Sequence, residues 1–259
     1  MITAVVFSRN RACQLDLLLT SLERNAPGVF DVNVLCRADT DDHQDAYRMC
    51  RGRFPHATFW YEGTSVPHLA ADLLSATDLG CFFTDDSVLY VRMPPPFLLG
   101  GVLCFSPRLG RNTTWCYPHG FDQMLPHFSG GWPLLEWNWK TAHGDFGYPA
   151  SVDGHVFRSS DLVDALSDCP STANPNQIEE HLVKHFANDH RQMMASYPQS
   201  CLVGIPANVV TDTHRNRHAH GPTADDLCAA YLAGKRLDLD AMDFSDVRGA
   251  HQDIELVLA

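Results

Sequence analysis

No glycine-rich loop follows the first β-favouring run of this 259-residue sequence, where residues 8–11 read Ser8-Arg9-Asn10-Arg11. A P-loop or a dinucleotide fingerprint needs glycine there, so that backbone N–H groups can close on phosphates, and its absence argues against both. The nine cysteines are odd in number, scattered and never in C-x-x-C spacing. Most of them, such as Cys36, Cys81 and Cys104, sit in apolar contexts, which predicts buried thiols in a reducing, cytoplasmic setting. No apolar run approaches a membrane span. Residues 1–9 lack a basic n-region and a small-residue cleavage site, so they read as a strand and not as a signal peptide. Positive charge is scarce: 19 Lys and Arg face 31 Asp and Glu, a net charge of -12 that argues against a nonspecific nucleic-acid surface. Internal repeats, low-complexity tracts and a linker strong enough to separate domains are also missing.

What remains has the composition of a globular chain, with 45% hydrophobic and 19% charged residues. Residues 2–7 form a β-type run. Leu15, Leu18, Leu19 and Leu22 follow at helical spacing until Pro27-Gly28 stops them. Residues 32–36 and 58–61 read as strands. Helices are expected over a segment with Ala46, Met49 and Cys50 on its buried side, and over 67–76, where Leu69 and Leu73 share a face. Strands alternating with helices predict right-handed βαβ units and a largely parallel sheet. After Pro94-Pro95-Pro96 the texture changes to Gly, Pro, Trp and Tyr, with strands expected over 102–106 and 134–140 and helices over 160–166, 176–186 and 224–232. Trp132, Trp137 and Trp139 read as core packing or as ring surfaces for an apolar sugar face.

The fourth strand, Gly80-Cys81-Phe82-Phe83-Thr84, ends in Asp85-Asp86-Ser87. Open α/β sheets bind ligands at such strand ends. Two adjacent carboxylates there need a cation or strong donors, or else they make a turn.

Taken in order, these pieces resemble the nucleotide-binding half of GT-A glycosyltransferases, especially family-2-like ones. The matching residues are Phe7-Ser8-Arg9-Asn10-Arg11 with the Leu-rich helix, Asp39 after the second strand, and Phe83-Thr84-Asp85-Asp86-Ser87 as a variant DxD motif. The second half resembles a subset of bacterial glycosyltransferases through Asp145-Phe-Gly-Tyr-Pro, residues 152–158, Asn174-Pro-Asn-Gln-Ile-Glu179, Asn216-Arg217 and His251-Gln252-Asp253. The resemblance implies an α/β, GT-A type fold: a Rossmann-like, mostly parallel sheet with helices on both faces and a smaller mixed acceptor-side region. It implies one domain over 1–259, with a nucleotide-sugar-binding half (1–93), an acceptor and catalytic half (94–222) and a C-terminal helical tail (223–259).

The implied activity is metal-dependent, inverting transfer of a sugar from a nucleotide-diphosphate donor, by default a UDP-sugar, to the hydroxyl of a glycan, lipid-linked or small-molecule acceptor. Mg²⁺ or Mn²⁺ suits a diphosphate leaving group, being held by one or two carboxylates plus phosphate oxygens. The resemblance gives Asp86 as the metal carboxylate with Asp85 supporting it near the ribose, and Ser87 where a strict D-x-D has its last Asp. Ser8, Arg9, Arg11 and Asp39 are expected around the nucleotide. Asp39 alternatively caps a helix, and Arg11 alternatively stands solvated at a helix start. The expected base is Glu179, then Asp153, then Asp145, with a helix-dipole acid as the other reading of Glu179. His155 is expected on the donor sugar or phosphate, or as a hydrogen-bonded half-buried histidine. In the late basic loop, His214 is the expected metal ligand and Arg217 a phosphate contact. A zinc reading of His214, His218 and His220 lacks a supporting Cys or HExxH pattern. The rival activities are a nucleotidyltransferase on a similar sheet and a non-catalytic carbohydrate-binding protein.

Overall fold

The computed structural model describes residues 1–61, 65–98, 100–130, 133–210 and 221–259. Its centre is an eight-stranded sheet. The first four strands are β1 (Ile2–Arg9), β2 (Phe30–Arg37), β3 (Thr58–Tyr61) and β4 (Leu79–Thr84). They pair in parallel in the order β3-β2-β1-β4. The run of β-branched and aromatic residues in β1 is buried on both faces, as a central parallel strand requires. Sheet order then continues through β10 (Val156–Arg158), β6 (Val102–Ser106), β11 (Met193–Ser196) and β9 (Leu135–Asn138). Of these, β10 and β9 run against the rest. The sheet is therefore mostly parallel, as expected. Two small antiparallel pairs complete the strands: β5 (Ser87–Leu89) with β12 (Leu202–Gly204), and β7 (Trp115–Cys116) with β8 (Phe121–Asp122).

Helices cover both faces. On one lie α1 (Ala12–Asn25), α2 (Asp41–Arg53) and α6 (Ala224–Leu232), which bury Leu15, Leu18, Tyr47, Cys50 and Tyr231 against Ala4 and Val6. On the other lie α3 (Val66–Leu74), α4 (Ser159–Ser167) and α5 (Pro175–Phe186), which bury Leu74, Leu162, Leu182 and Phe186 against Val5 and Phe7. Adjacent residues of β1 thus feed opposite cores, the period-2 consequence of a pleated strand. Local signals start the helices. Thr40 caps α2 by accepting from the His43 N–H, and Asn174 with Gln177 forms a capping box ahead of α5.

Two tryptophan positions resolve as core. Trp137 is fully buried with its indole N–H on the Phe146 carbonyl at 2.9 Å, and Trp139 places its N–H on the Arg191 carbonyl at 3.0 Å. Trp132 lies outside the described residues. The strand expected over 134–140 stops at Asn138, whose side chain accepts from the Lys140 N–H and turns the chain into a 3-10 helix at Trp139–Thr141. All nine cysteines are buried free thiols. Among the described residues no helix is long and apolar enough to cross a membrane.

Candidate active site

A cleft of about 650 Å³ opens at the C-terminal ends of β1, β4 and β6, beside the entrance to β10. Because β10 is antiparallel, its entry residues 153–155 lie beside the exit of β4. Gly154, at φ +90, donates its N–H to the Phe82 carbonyl at 2.5 Å, and a Cβ there would run into Leu202 and Phe83. Only glycine brings Asp153 this close to Thr84 without strain.

The acidic pair forms the floor. Asp85 is buried, and both of its oxygens are engaged. Oδ1 lies 3.0 Å from Arg11 Nη1, and Oδ2 accepts from Ser8 Oγ at 2.8 Å and from the Arg9 N–H at 3.3 Å. Ser8 Oγ also pairs with the Tyr47 hydroxyl at 2.6 Å. Burial pushes the Asp85 carboxyl up to about 6, against the pull of the Arg11 guanidinium. Arg11 is therefore buried and not solvated, and it still lines the cleft. Its Nη1 also reaches Asp86 Oδ2 at 3.4 Å, its Nε donates to Asn208 Oδ1 at 2.8 Å, and its Nη2 bonds the Asn208 carbonyl. Asp86 is the more open of the two. Thr84 Oγ1 lies 2.8 Å from Asp86 Oδ1 and 2.6 Å from Asp153 Oδ1, so one hydroxyl proton faces two carboxylates.

At the rim, Arg9 Nη2 holds Asp39 at 2.8 Å, and Asn10 Nδ2 and Arg37 Nε bond the same carboxylate at 2.8 and 3.0 Å. These donors outweigh desolvation and hold Asp39 below its ordinary range. Asn10 adopts φ 58, a left-handed turn that asparagine tolerates. Arg9 and Arg37 line the cleft, whereas Asp39 lies behind them and Thr40, not Asp39, caps α2.

The same cleft carries the candidate bases. Glu179 sits in the second turn of α5, beyond the first-turn position that the helix dipole favours, and its Oε1 accepts from the Val152 N–H at 3.3 Å. Burial and the charge on Asp153 push Glu179 up to about 7. Asp153 moves the other way. Burial alone would raise it, but Arg108 Nη1 at 3.2 Å, His251 Nε2 at 3.3 Å and Thr84 hold it well below the carboxylate range. Asp145 also lines the cleft and accepts from Gln123 Nε2 at 3.0 Å. His155 is buried with Nδ1 2.9 Å from the Pro149 carbonyl, is lowered to about 4 by burial, and is not among the cleft walls. Exposed rings stand at the mouth: Tyr148, and His119 stacked on Phe121 at 5.7 Å.

Three cleft residues carried no assigned role in the sequence. Arg108 follows β6 as one arginine among many, Asn208 sits in a loop, and His251 was visible only as part of a motif. His214 and Arg217 lie outside the described residues. Among the described residues no group of three His, Cys, Asp or Glu side chains gathers to hold a metal. The donor set still suits one mode of Mg²⁺ or Mn²⁺ binding, in which a single carboxylate is joined by substrate phosphate oxygens. Asp86 is the carboxylate with room for it, because Asp85 is saturated by donors.

No family model and no curated protein matches this sequence. Among solved structures it is similar to S. aureus TarS 1–349, at 16% identity and TM-score 0.48, over 78% of this chain and 59% of that one. It is similar to the mannosyltransferase PcManGT from Pyrobaculum calidifontis in complex with GDP-Man and Mn²⁺, at 14% and 0.44, over 79% and 57%. A cytidylyltransferase from Leptospira borgpetersenii gives 14% and 0.45, over 77% and 76%. The chain spans less than two thirds of the first two proteins. Identities this low and TM-scores under 0.5 stop short of any activity; what the chain is on its own evidence is an α/β protein with a mostly parallel, helix-covered sheet and a carboxylate-rich cleft at its strand ends.

Proposed function

We propose that this chain is a GT-A type, inverting glycosyltransferase that uses a nucleotide-sugar donor, by default a UDP-sugar, and an acceptor hydroxyl. The observation that carries this reading is one cleft with two differently tuned acid groups: a donor-braced Asp85-Asp86 pair at the strand ends and, lining the same cleft, Glu179 raised to about 7. Residues 1–93 supply the nucleotide side, 94–222 the acceptor side, and the segment after 223 contributes His251.

In this mechanism the nucleotide lies along Ser8, Arg9 and Arg37, with its diphosphate toward Asp86. A divalent ion held by Asp86 would supply neutralisation of the leaving diphosphate. Glu179 accepts the proton of the acceptor hydroxyl as the new glycosidic bond forms, on the face opposite the departing diphosphate. A base must be ionised to act, so the competent fraction rises with pH through about 7 and is lost below it. Asp153, kept ionised by Arg108 and His251, is a poor proton acceptor and serves instead as the fixed charge that raises Glu179. Tyr148 and the His119–Phe121 stack offer ring faces for the acceptor.

The test is thermal unfolding with UDP-, GDP- and dTDP-sugars, with and without Mn²⁺. A donor at 100 times its Kd should raise Tm by about 5–10 °C. The absence of a shift with every donor, together with no donor hydrolysis, would remove the transferase reading. A shift with a nucleoside triphosphate alone would favour the nucleotidyltransferase.

A further inference from the structure

His251 enters the cleft from a stretch without helix or strand, yet it is held from both sides. Gly204 of β12 donates its N–H to the Ala250 carbonyl at 3.0 Å and accepts from the Gln252 N–H at 3.0 Å. A Cβ at residue 204 would overlap the His251 ring, so glycine is what lets the two backbones close around it. On the cleft side, Arg108 Nη2 lies 3.1 Å from Nδ1 and from Nε2, and Nε2 lies 3.3 Å from Asp153 Oδ2. A guanidinium can only donate. The hydrogen-bond pattern therefore assigns Nδ1 as the acceptor facing Arg108 and Nε2–H as the donor to Asp153.

We infer that His251 is a positioning residue for Glu179, acting through Arg108, Asp153 and the turn 151–153. The inference rests on Glu179 being the base. Arg108 Nη1 donates to Ser151 Oγ at 2.6 Å and lies 3.2 Å from Asp153 Oδ2. Between those two residues, the Val152 N–H holds Glu179 Oε1. The turn that aims the base is thus pinned at both ends by groups that His251 holds in place. Arg108 is buried and its Nε has no hydrogen-bond partner. Its grip on the turn consequently depends on the two terminal nitrogens, one of which His251 and the Ala250 carbonyl fix. The stretch around residue 251 becomes a working part of the cleft.

The full-length chain tests this with donor turnover and, separately, UDP affinity by calorimetry. His251→Ala should lower kcat by about 10- to 100-fold, the scale expected when a reacting group is misplaced by about an ångström. UDP affinity should stay unchanged, because the nucleotide side is not touched. His251→Gln offers one acceptor and one donor at similar reach and should recover most of the rate. Added imidazole should partly rescue His251→Ala and leave Glu179→Gln unrescued. Gly204→Ala should reproduce the rate loss by displacing the ring while leaving its chemistry intact. Unchanged kcat in His251→Ala overturns the inference, as does a loss that neither glutamine nor imidazole reverses. A wild-type chain that neither binds UDP nor turns over any donor overturns the transferase reading instead.

Discussion

Glu179→Gln should reduce kcat by about 10²- to 10⁴-fold while leaving donor binding intact, the range associated with loss of a positioned general base. The amide keeps the shape of the side chain and can still accept from Val152, so the change removes proton affinity and little else. Wild-type kcat/KM should fall about tenfold per pH unit well below pH 7, because Glu179 then carries the proton it has to accept. That acid limb should be missing from the residual activity of the variant. Asp153→Asn provides the control. Removing the Asp153 charge takes away a cause of the raised Glu179 proton affinity and leaves Arg108 acting on it, so the limb should move to lower pH. A rate-against-pH series on the three proteins decides the assignment. Should Asp153→Asn abolish turnover while Glu179→Gln retains it, the base is Asp153.

Arg11→Met should be the most damaging single change to stability, at about 3–5 kcal/mol, because it leaves a buried carboxylate without its cation. Arg11 and Asp85 are both buried, so solvent screening does not soften the loss. The sign of the pH dependence follows from Asp85. Its folded-state proton affinity is already raised to about 6, and losing Arg11 raises it further. The unfolded chain ionises this group near the ordinary carboxylate value of about 3.9. Because that unfolded value is shared by both proteins, the deficit of Arg11→Met against wild type is largest above the variant's raised folded-state value and fades as pH falls to about 6, below which both folded proteins carry the proton. Urea unfolding at pH 5 and pH 8 measures it. The double variant Arg11→Met/Asp85→Asn should regain part of the lost stability, since a neutral amide tolerates the same burial better. A cost below about 1 kcal/mol at pH 8 would mean that water reaches Asp85 freely.

Much of the sheet was legible because its information is local. The apolar runs at 2–7, 32–36, 58–61 and 102–106 lie within observed strands, and Leu15, Leu18 and Leu22 mark the buried side of α1. Asp85-Asp86 was legible for the same reason, as an abrupt change of polarity at a strand end. The strands β11 and β12 were not, being four and three residues long and, in β11, built from Met-Met-Ala-Ser without β-branched residues. Their place is set by neighbours far along the chain. The same holds for the cleft cations. Arg11 read as solvated or phosphate-facing because nothing in Asn10-Arg11-Ala12 indicates that Asp85 and Asn208 will close on it. Arg108 and His251 acquire meaning only from Asp153, and nothing around His155 in the sequence indicates that a carbonyl six residues earlier will take its Nδ1. The tryptophans read equally well as core or as platform, and burial decided for the core at two of the three positions.

The partners of Asp153 come from three distant parts of the chain, at residues 84, 108 and 251. On the ribosome they do not arrive together. About a hundred residues separate Asp153 from His251, which at 5–20 residues per second is roughly 5–20 s of synthesis. Through that interval the emerging chain can pair β1, β2, β3, β4, β6 and β10, but Asp153 is held by Thr84 and Arg108 without His251. The nascent protein therefore gains its sheet well before its chemistry, and an arrested chain ending ahead of residue 247 should be folded in its first half and inert.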